Sequence, residues 1–460
     1  MADVIEDILR PHHVYAVCAG ASYAGDLRAA VGRLFESAGL DANHIGKANW
    51  NPLRDVIPHD AVVCIKPNWV HHDNRGGGGL GCLVTHPRVI EAVLEFVDRA
   101  QPRRLVVGDA PIQGCELDKL AHRGYVPSVA GVRNCTLADF RLVHCEGGRF
   151  FNRQVRTRRG EQDYVLFDLG TSSLLEAITD DDTEFRVGMY AAEEMRRTHA
   201  RGRHQYLVCR EALEADVVID MPKLKTHARA GVTAALKNVV GIAGEKSYLA
   251  HHRKGGTDKG GDCYPGGSLL KRCAEELLDA SAARERPIVR GALSGMAQVT
   301  NRLNELIGND RNVNGSWFGN DTVWRMTLDL QRILHYGRVD GSIASTPQRR
   351  IIHITDALIA GQGDGPLTPA PAPLGVLTLG SNAGAVDWVH AELMGFDPCK
   401  VPLIRSWFGQ RELAGCSPSE IRAFFNGEAV PPAQAFARYG FAFAPPKGWR
   451  GRIERTATAA

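Results

Sequence analysis

The chain has 460 residues, a prior for two to three domains, and its 44% hydrophobic and 23% charged content supports a full core without disulfides or bound metal. A formal charge of +3 with no basic-aromatic stripe argues against nucleic-acid binding. The absence of a run of roughly 18 apolar residues argues against a membrane span.

The start, Met1–Arg10, carries Asp3, Glu6 and Asp7 and lacks the basic patch and apolar core of a signal peptide. Continuous apolar runs at Val14–Val17, Ala61–Ile65, Leu105–Val107, Asp216–Asp220, Ile351–Thr355 and Val376–Leu379 predict strands buried on both faces. Helical patterns alternate with them at Tyr23–Ala38, Pro87–Ala100, Ser268–Ala283, Asp321–Leu334 and Ala383–Met394. The alternation predicts an α/β fold: mostly parallel sheets flanked by helices, in Rossmann-like lobes. The charge-rich stretch 146–201 lacks periodicity and reads as an inserted, irregular or bridging lobe.

This gives an α/β region over 12–402 and a C-terminal extension over 403–460. In the extension, Ser417-Pro418-Ser419-Glu420 predicts a capped helix to about Asn426. Pro431-Pro432 and Pro445-Pro446 mark loose tail, and Lys447–Arg455 reads as solvated. Eleven scattered cysteines without a C-x-x-C point to reduced thiols in a cytoplasmic setting, and no iron–sulfur cluster is expected.

The densest chemistry follows the strand Asp216–Asp220. If Lys223–His227 stays extended, Lys223, Lys225 and His227 share one face at a sheet's carboxyl edge, where open α/β sheets bind ligands. Three neighbouring cations ask for an anion between them. Thr233 and Lys237 stand four apart on the next predicted turn, with Asn238 beside them. Then come His251, His252, Arg253 and Lys254, and a glycine-rich loop holding Asp258 and Asp262. Lys66 and Asn68 flank Pro67 at the end of another strand, followed by His71, His72 and a four-glycine loop.

Two alternatives are bland. Asp356, Asp364 and Asp387 could hold a metal, but such aspartates more often cap helices and close turns. Asp321, Arg325, Asp329 and Arg332 share a helix face of the kind that is usually solvated.

The strings VCIKPN (63–68), ADVVIDMPKLKTH (215–227), GVTAALKNVVG (231–241), HHRKGGTDKGGDCYPGG (251–267), GNDTVWRMTLDL (319–330), GQGDGPL (361–367) and AVDWVHAELMGFD (385–397) resemble domain-of-unknown-function family 362. Many members carry an iron–sulfur segment, which this chain lacks. The family resemblance implies a place in sugar, capsule or secondary-metabolite pathways. The order of Lys237, His227 and the later histidines is more distantly similar to lactate racemase. That likeness implies that Lys237 tethers a nickel-pincer nucleotide, His227 acts as acid/base, and His251 or His252 binds the metal. The approach to the lysine differs, being Thr233-Ala234-Ala235-Leu236-Lys237 here.

These readings converge on an enzyme for a small anionic or sugar-like metabolite, a metal- or cofactor-dependent oxidoreductase or isomerase. His227 and Lys237 are the expected catalytic residues. Lys66, Asn68, Lys223, Lys225, Thr233, Asn238 and Arg253 are the expected anion ligands. His251, His252, Asp258 and Asp262 offer mixed ligands for a divalent metal. The alternative is a non-catalytic binder of a phosphorylated metabolite or nucleotide. The expected partner is a small molecule, with no nucleic acid, no membrane span, and room for a homo-oligomer.

Overall fold

A computed structural model describes residues 9–146, 153–188, 192–284, 286–307 and 313–455. Most of the amino-terminal stretch, and parts of the 146–201 stretch, lie outside them. Each predicted apolar run forms a strand, and together they build one mixed, mostly parallel sheet. Its spatial order is Glu428–Val430, Arg422–Phe425, His13–Cys18, Val376–Gly380, Arg350–Gln362, Val217–Met221, Val62–Pro67, Arg104–Asp109 and Cys135–Asp139. The last five run parallel to one another, while Val376–Gly380 is antiparallel to both its neighbours.

Val217–Met221 and Val62–Pro67 are buried at every position, because apolar cores lie on both sides of the sheet. Leu27–Ser37 and Pro87–Arg99 cover one face, and Val323–Tyr336 and Ala383–Leu393 pack on the other. Two strands beyond the inserted stretch's start, Tyr164–Asp168 and Arg203–Cys209, pair antiparallel in a separate small sheet.

Three expectations are corrected. Ser417 and Glu420 do form the capping box, but only a short 3-10 turn, Pro418–Glu420, follows before strand Arg422–Phe425. That strand pairs parallel with His13–Cys18, so the extension completes the main sheet. The proposed loose, solvated tail contains helix Pro432–Tyr439 and the buried Trp449 and Ile453. Asp329 is buried, not solvated, and accepts from the Leu174 amide (2.9 Å) and the Tyr206 hydroxyl (2.8 Å). A buried carboxylate needs such donors.

Among the described residues, no helix is long and apolar enough to cross a membrane.

Candidate functional site

Pro222 interrupts the chain at the end of Val217–Met221, and a second strand, Lys223–His227, resumes along the far half of Arg350–Gln362. The chain then turns and returns as Gly231–Thr233, placing Thr233 opposite Lys225 and Gly231 opposite His227. Gly231 has φ of 79°, and a Cβ there would stand 2.9 Å from the Trp449 ring. Glycine alone fits both the backbone and the contact.

Next comes the helical turn Ala235–Asn238. Its first amides, on Ala235 and Leu236, donate to the two oxygens of Asp387 at 2.8 and 2.9 Å. Asp387 therefore caps the turn carrying Lys237, the favoured reading of that aspartate. Asp364 likewise accepts from the Lys447 amide at 2.8 Å.

These elements border a cleft of about 880 Å³. Of the residues expected from sequence, Asn68, Lys225, His227, Thr233, Lys237, Asn238 and His251 line it. Lys66 lies beneath, fully buried. Its Nζ donates to Asp109 Oδ1 (2.8 Å) and Asn238 Oδ1 (3.1 Å). Asn238 Nδ2 donates to Asp220 (2.7 Å), which meets His353 Nδ1 at 3.0 Å. This hydrogen-bonded network fixes the floor, so Lys66 serves position and not ligand contact.

Lys223 is also corrected. Its ammonium is fully buried on Asp356 Oδ2 (2.9 Å) beside the Tyr23 hydroxyl and does not border the cleft. The anion that three neighbouring lysine-strand cations seemed to require is, for Lys223, a side chain of the protein itself. Arg253 too lies outside the cleft, near Asp262.

The cleft is electrostatically incomplete. Among the described residues, Lys225, Arg229, Lys237 and Lys246 have no carboxylate within ion-pair distance. Lys225 instead donates to Asn68 Oδ1 and the Leu83 carbonyl, Lys246 to the Ala243 carbonyl (3.1 Å), and Arg229 to the Asn314 carbonyl (2.7 Å). The Lys237 ammonium has no hydrogen-bond partner among them. The carboxylates on the lining are already engaged, Asp109 by Lys66, Glu116 by Lys119 and Asp364 by Lys447. Burial, then the charges of Arg229, Lys246 and Lys66, brings Lys237 down to about 7. Burial lowers Lys246 to about 8, with Lys66 and Arg141 adding to the fall and Asp109 opposing it. Two buried polar atoms of lining residues, Thr233 Oγ1 and Gln113 Nε2, lack partners among the described residues. Buried polar groups are seldom left so, and each is suited to a ligand's oxygen.

Of the histidines lining the cleft, His227 and His251 are held in opposite tautomers. His227 Nδ1 accepts from the backbone amides of Arg229 (3.1 Å) and Ala230 (3.2 Å), so the neutral ring carries its proton on Nε2. His251 Nδ1 lies 2.8 Å from the Leu249 carbonyl, which only accepts, so the neutral ring keeps a lone pair on Nε2. Both are pushed well below the usual histidine range, by burial first. Lys237 and Arg229 come next for His227, and Arg229 and Lys237 for His251. In the neutral state His227 therefore presents an N–H at Nε2 and His251 a lone pair at Nε2.

The four expected metal ligands do not converge. His251 borders the main cleft and His252 a separate pocket of about 250 Å³, because adjacent residues of an extended segment point apart. Asp258 is exposed. Asp262 accepts from the Arg253 amide (2.5 Å), the Asp321 amide (2.9 Å) and the Thr322 hydroxyl (2.6 Å), which fills its oxygens structurally. Among the described residues, no group of three His, Cys, Asp or Glu side chains is placed to hold a metal ion.

Sequence reasoning missed Arg229, Lys246, Gln113 and Asp109. Asp109 had a signal, since it ends strand Arg104–Asp109 at the ligand edge. Arg229 sits in the same turn as His227. Lys246 and Gln113 had none, because loops far apart in sequence bring them in.

Over residues 169–392 the sequence matches the model of a family described as a domain of unknown function, DUF362. It is 22% identical over 402 residues to a thylakoid-associated protein of Synechocystis sp., covering 87% of this chain and 79% of that protein. A solved Thermotoga maritima protein from a structural genomics programme aligns at 12% identity and a TM-score of 0.30, over 73% of this chain. The alignment spans about half of that protein, 52% of its length.

Proposed function

We propose, for a chain that belongs over residues 169–392 to the DUF362 family, that the cleft binds a small anionic metabolite and moves a proton on it. One observation carries this reading: a cluster of cations without carboxylate partners surrounds a neutral imidazole whose Nε2 is unprotonated. In this reading Lys237, Arg229 and Lys246 hold a carboxylate or phosphate group, with Thr233 and Gln113 donating to its oxygens. His251 Nε2 accepts a proton from the bound molecule. His227 Nε2–H donates to the oxygen on which charge develops, as preorganised donors do at such positions.

The ligand also tunes the base. Positive neighbours contribute to depressing His251 and Lys237, so an anion between them raises both toward ordinary values. This chemistry fits an isomerase, or the proton-moving half of an oxidoreductase, in metabolism of acidic or sugar-like compounds. Eleven free thiols support a reducing compartment such as the cytoplasm.

The test is solvent exchange. A panel of hydroxy acids, keto acids and sugar phosphates is incubated with the protein in D₂O, and deuterium entering carbon positions is followed by NMR. Exchange is expected with at least one compound, reduced about 10²–10⁴-fold by His251→Gln. Anion binding without exchange for any compound would make the protein a binder instead.

The pH dependence of binding has a definite sign. Free Lys237 and Lys246 lose protons near 7 and 8, and a bound anion holds those protons. Inorganic phosphate should therefore bind more tightly as pH falls from 9 to 7, with net proton uptake by these lysines. Calorimetry in buffers of different ionisation enthalpy, corrected for phosphate's own titration, measures the uptake.

A further inference from the structure

The helical hairpin Leu269–Ala282 and Pro287–Leu306 is amphipathic in the inverted sense. Small and polar residues meet inside it: Ser281 Oγ donates to the Arg290 carbonyl (2.9 Å) and lies 2.8 Å from Ser294 Oγ, and Ser268 Oγ donates to Asn304 Oδ1 at 3.2 Å. Ala297 and Asn304 are buried there. The outer face of the second helix carries Val289, Ala292, Met296, Val299, Leu303 and Leu306, at alternating steps of three and four residues. All six are exposed, Val299 by 60% and Leu306 by 81%.

Steps of three and four repeat every seven residues, the spacing of a seam between two coiled helices. The bare apolar side chains between Ile288 and Ile307 present roughly 700 Å², more than the few hundred Å² usual on a monomer and close to one partner's share of a standard interface. The helix has no aromatic residue and no lysine between Pro287 and Leu306, unlike a helix built to lie in a lipid headgroup layer.

We infer that this seam pairs with the same seam of a second copy of the chain, antiparallel, about a two-fold axis between Met296 and Val299. In that alignment Met296 meets the other copy's Val299 and Ala292 its Leu303, so large residues face smaller ones. Charge selects the direction. Parallel helices would set Arg302 against Arg302 and Glu305 against Glu305, whereas antiparallel ones bring the Glu305 end level with the Arg286–Arg290 end. Antiparallel pairing also opposes the helix dipoles, and a two-fold interface needs only this one self-complementary patch.

Sedimentation of the full chain at tens of micromolar tests the assignment. The wild type is expected at twice the 50.1 kDa chain mass. Met296→Glu with Val299→Glu is expected to weaken association at least 100-fold, with unchanged circular dichroism because both side chains already face solvent. Gln298→Glu, one step off the seam, should sediment as wild type. A monomeric wild type overturns the proposal, including one that floats with vesicles of equal parts phosphatidylcholine and phosphatidylglycerol. A dimer that survives the double substitution also overturns it.

Discussion

Lys237→Met is expected to stabilise the unliganded protein at pH 7 while abolishing phosphate binding. Lys237 is buried with a folded pKa of about 7 against an ordinary 10.5. In that interval the unfolded chain binds more protons than the folded one, so folding must release a proton or bury a charge. The cost is complete below about pH 7, shrinks as pH rises, and vanishes above about 10.5. Methionine has similar length and carries no charge. The expected gain at pH 7 is about 1–4 kcal/mol, the range for buried ion pairs replaced by apolar residues of similar volume. Thermal or urea unfolding at pH 7 and pH 10 measures it, and most of the gain should be gone at pH 10. A loss of stability at pH 7 would show that the lysine has a compensating partner and would remove the argument for an anion.

Asp356→Ala is expected to cost about 3–5 kcal/mol, the range for stranding a buried charge. Asp356 is fully buried and accepts from Lys223 Nζ (2.9 Å), the Tyr23 hydroxyl (3.1 Å), and the amides of His86 (3.0 Å) and Leu358 (3.2 Å). Removing the carboxylate leaves the buried Lys223 ammonium without its counter-ion, with only the Tyr23 hydroxyl to accept from it. Adding Lys223→Met should restore at least half of the loss in urea unfolding, because the ammonium is then gone too. The two lysine substitutions have opposite logic: Lys223 has its anion and Lys237 does not.

The fold was legible because its strands announce themselves. Val217–Met221 and Val62–Pro67 are buried on both faces, which demands the continuous apolar runs seen in the sequence. The last fifty residues were misread for the converse reason. Arg422–Phe425 is a four-residue edge-side strand with an exposed arginine, and its pairing with His13–Cys18 bridges some four hundred residues. Local pattern carries no such information.

At the site, spacing on one strand located Lys225 and His227 but could not say which cation already owned a carboxylate. Asp356 lies 133 positions from Lys223 and Asp109 lies 43 from Lys66. Nor could it assign the histidines' roles, which depend on the amides of Arg229 and Ala230 and the carbonyl of Leu249. His251 and His252, though adjacent, border different pockets, which spacing alone did not assign.

Trp449 donates from Nε1 to the Ala228 carbonyl at 2.6 Å, while its ring rests on Gly231. Residues 228–231 form the turn whose amides select the His227 tautomer. The segment that steadies this turn is therefore synthesised after every residue bordering the cleft. A ribosome stalled at residue 440 would hold all the chemistry and none of the latch, so the nascent pocket stays unfinished until its final buttress emerges.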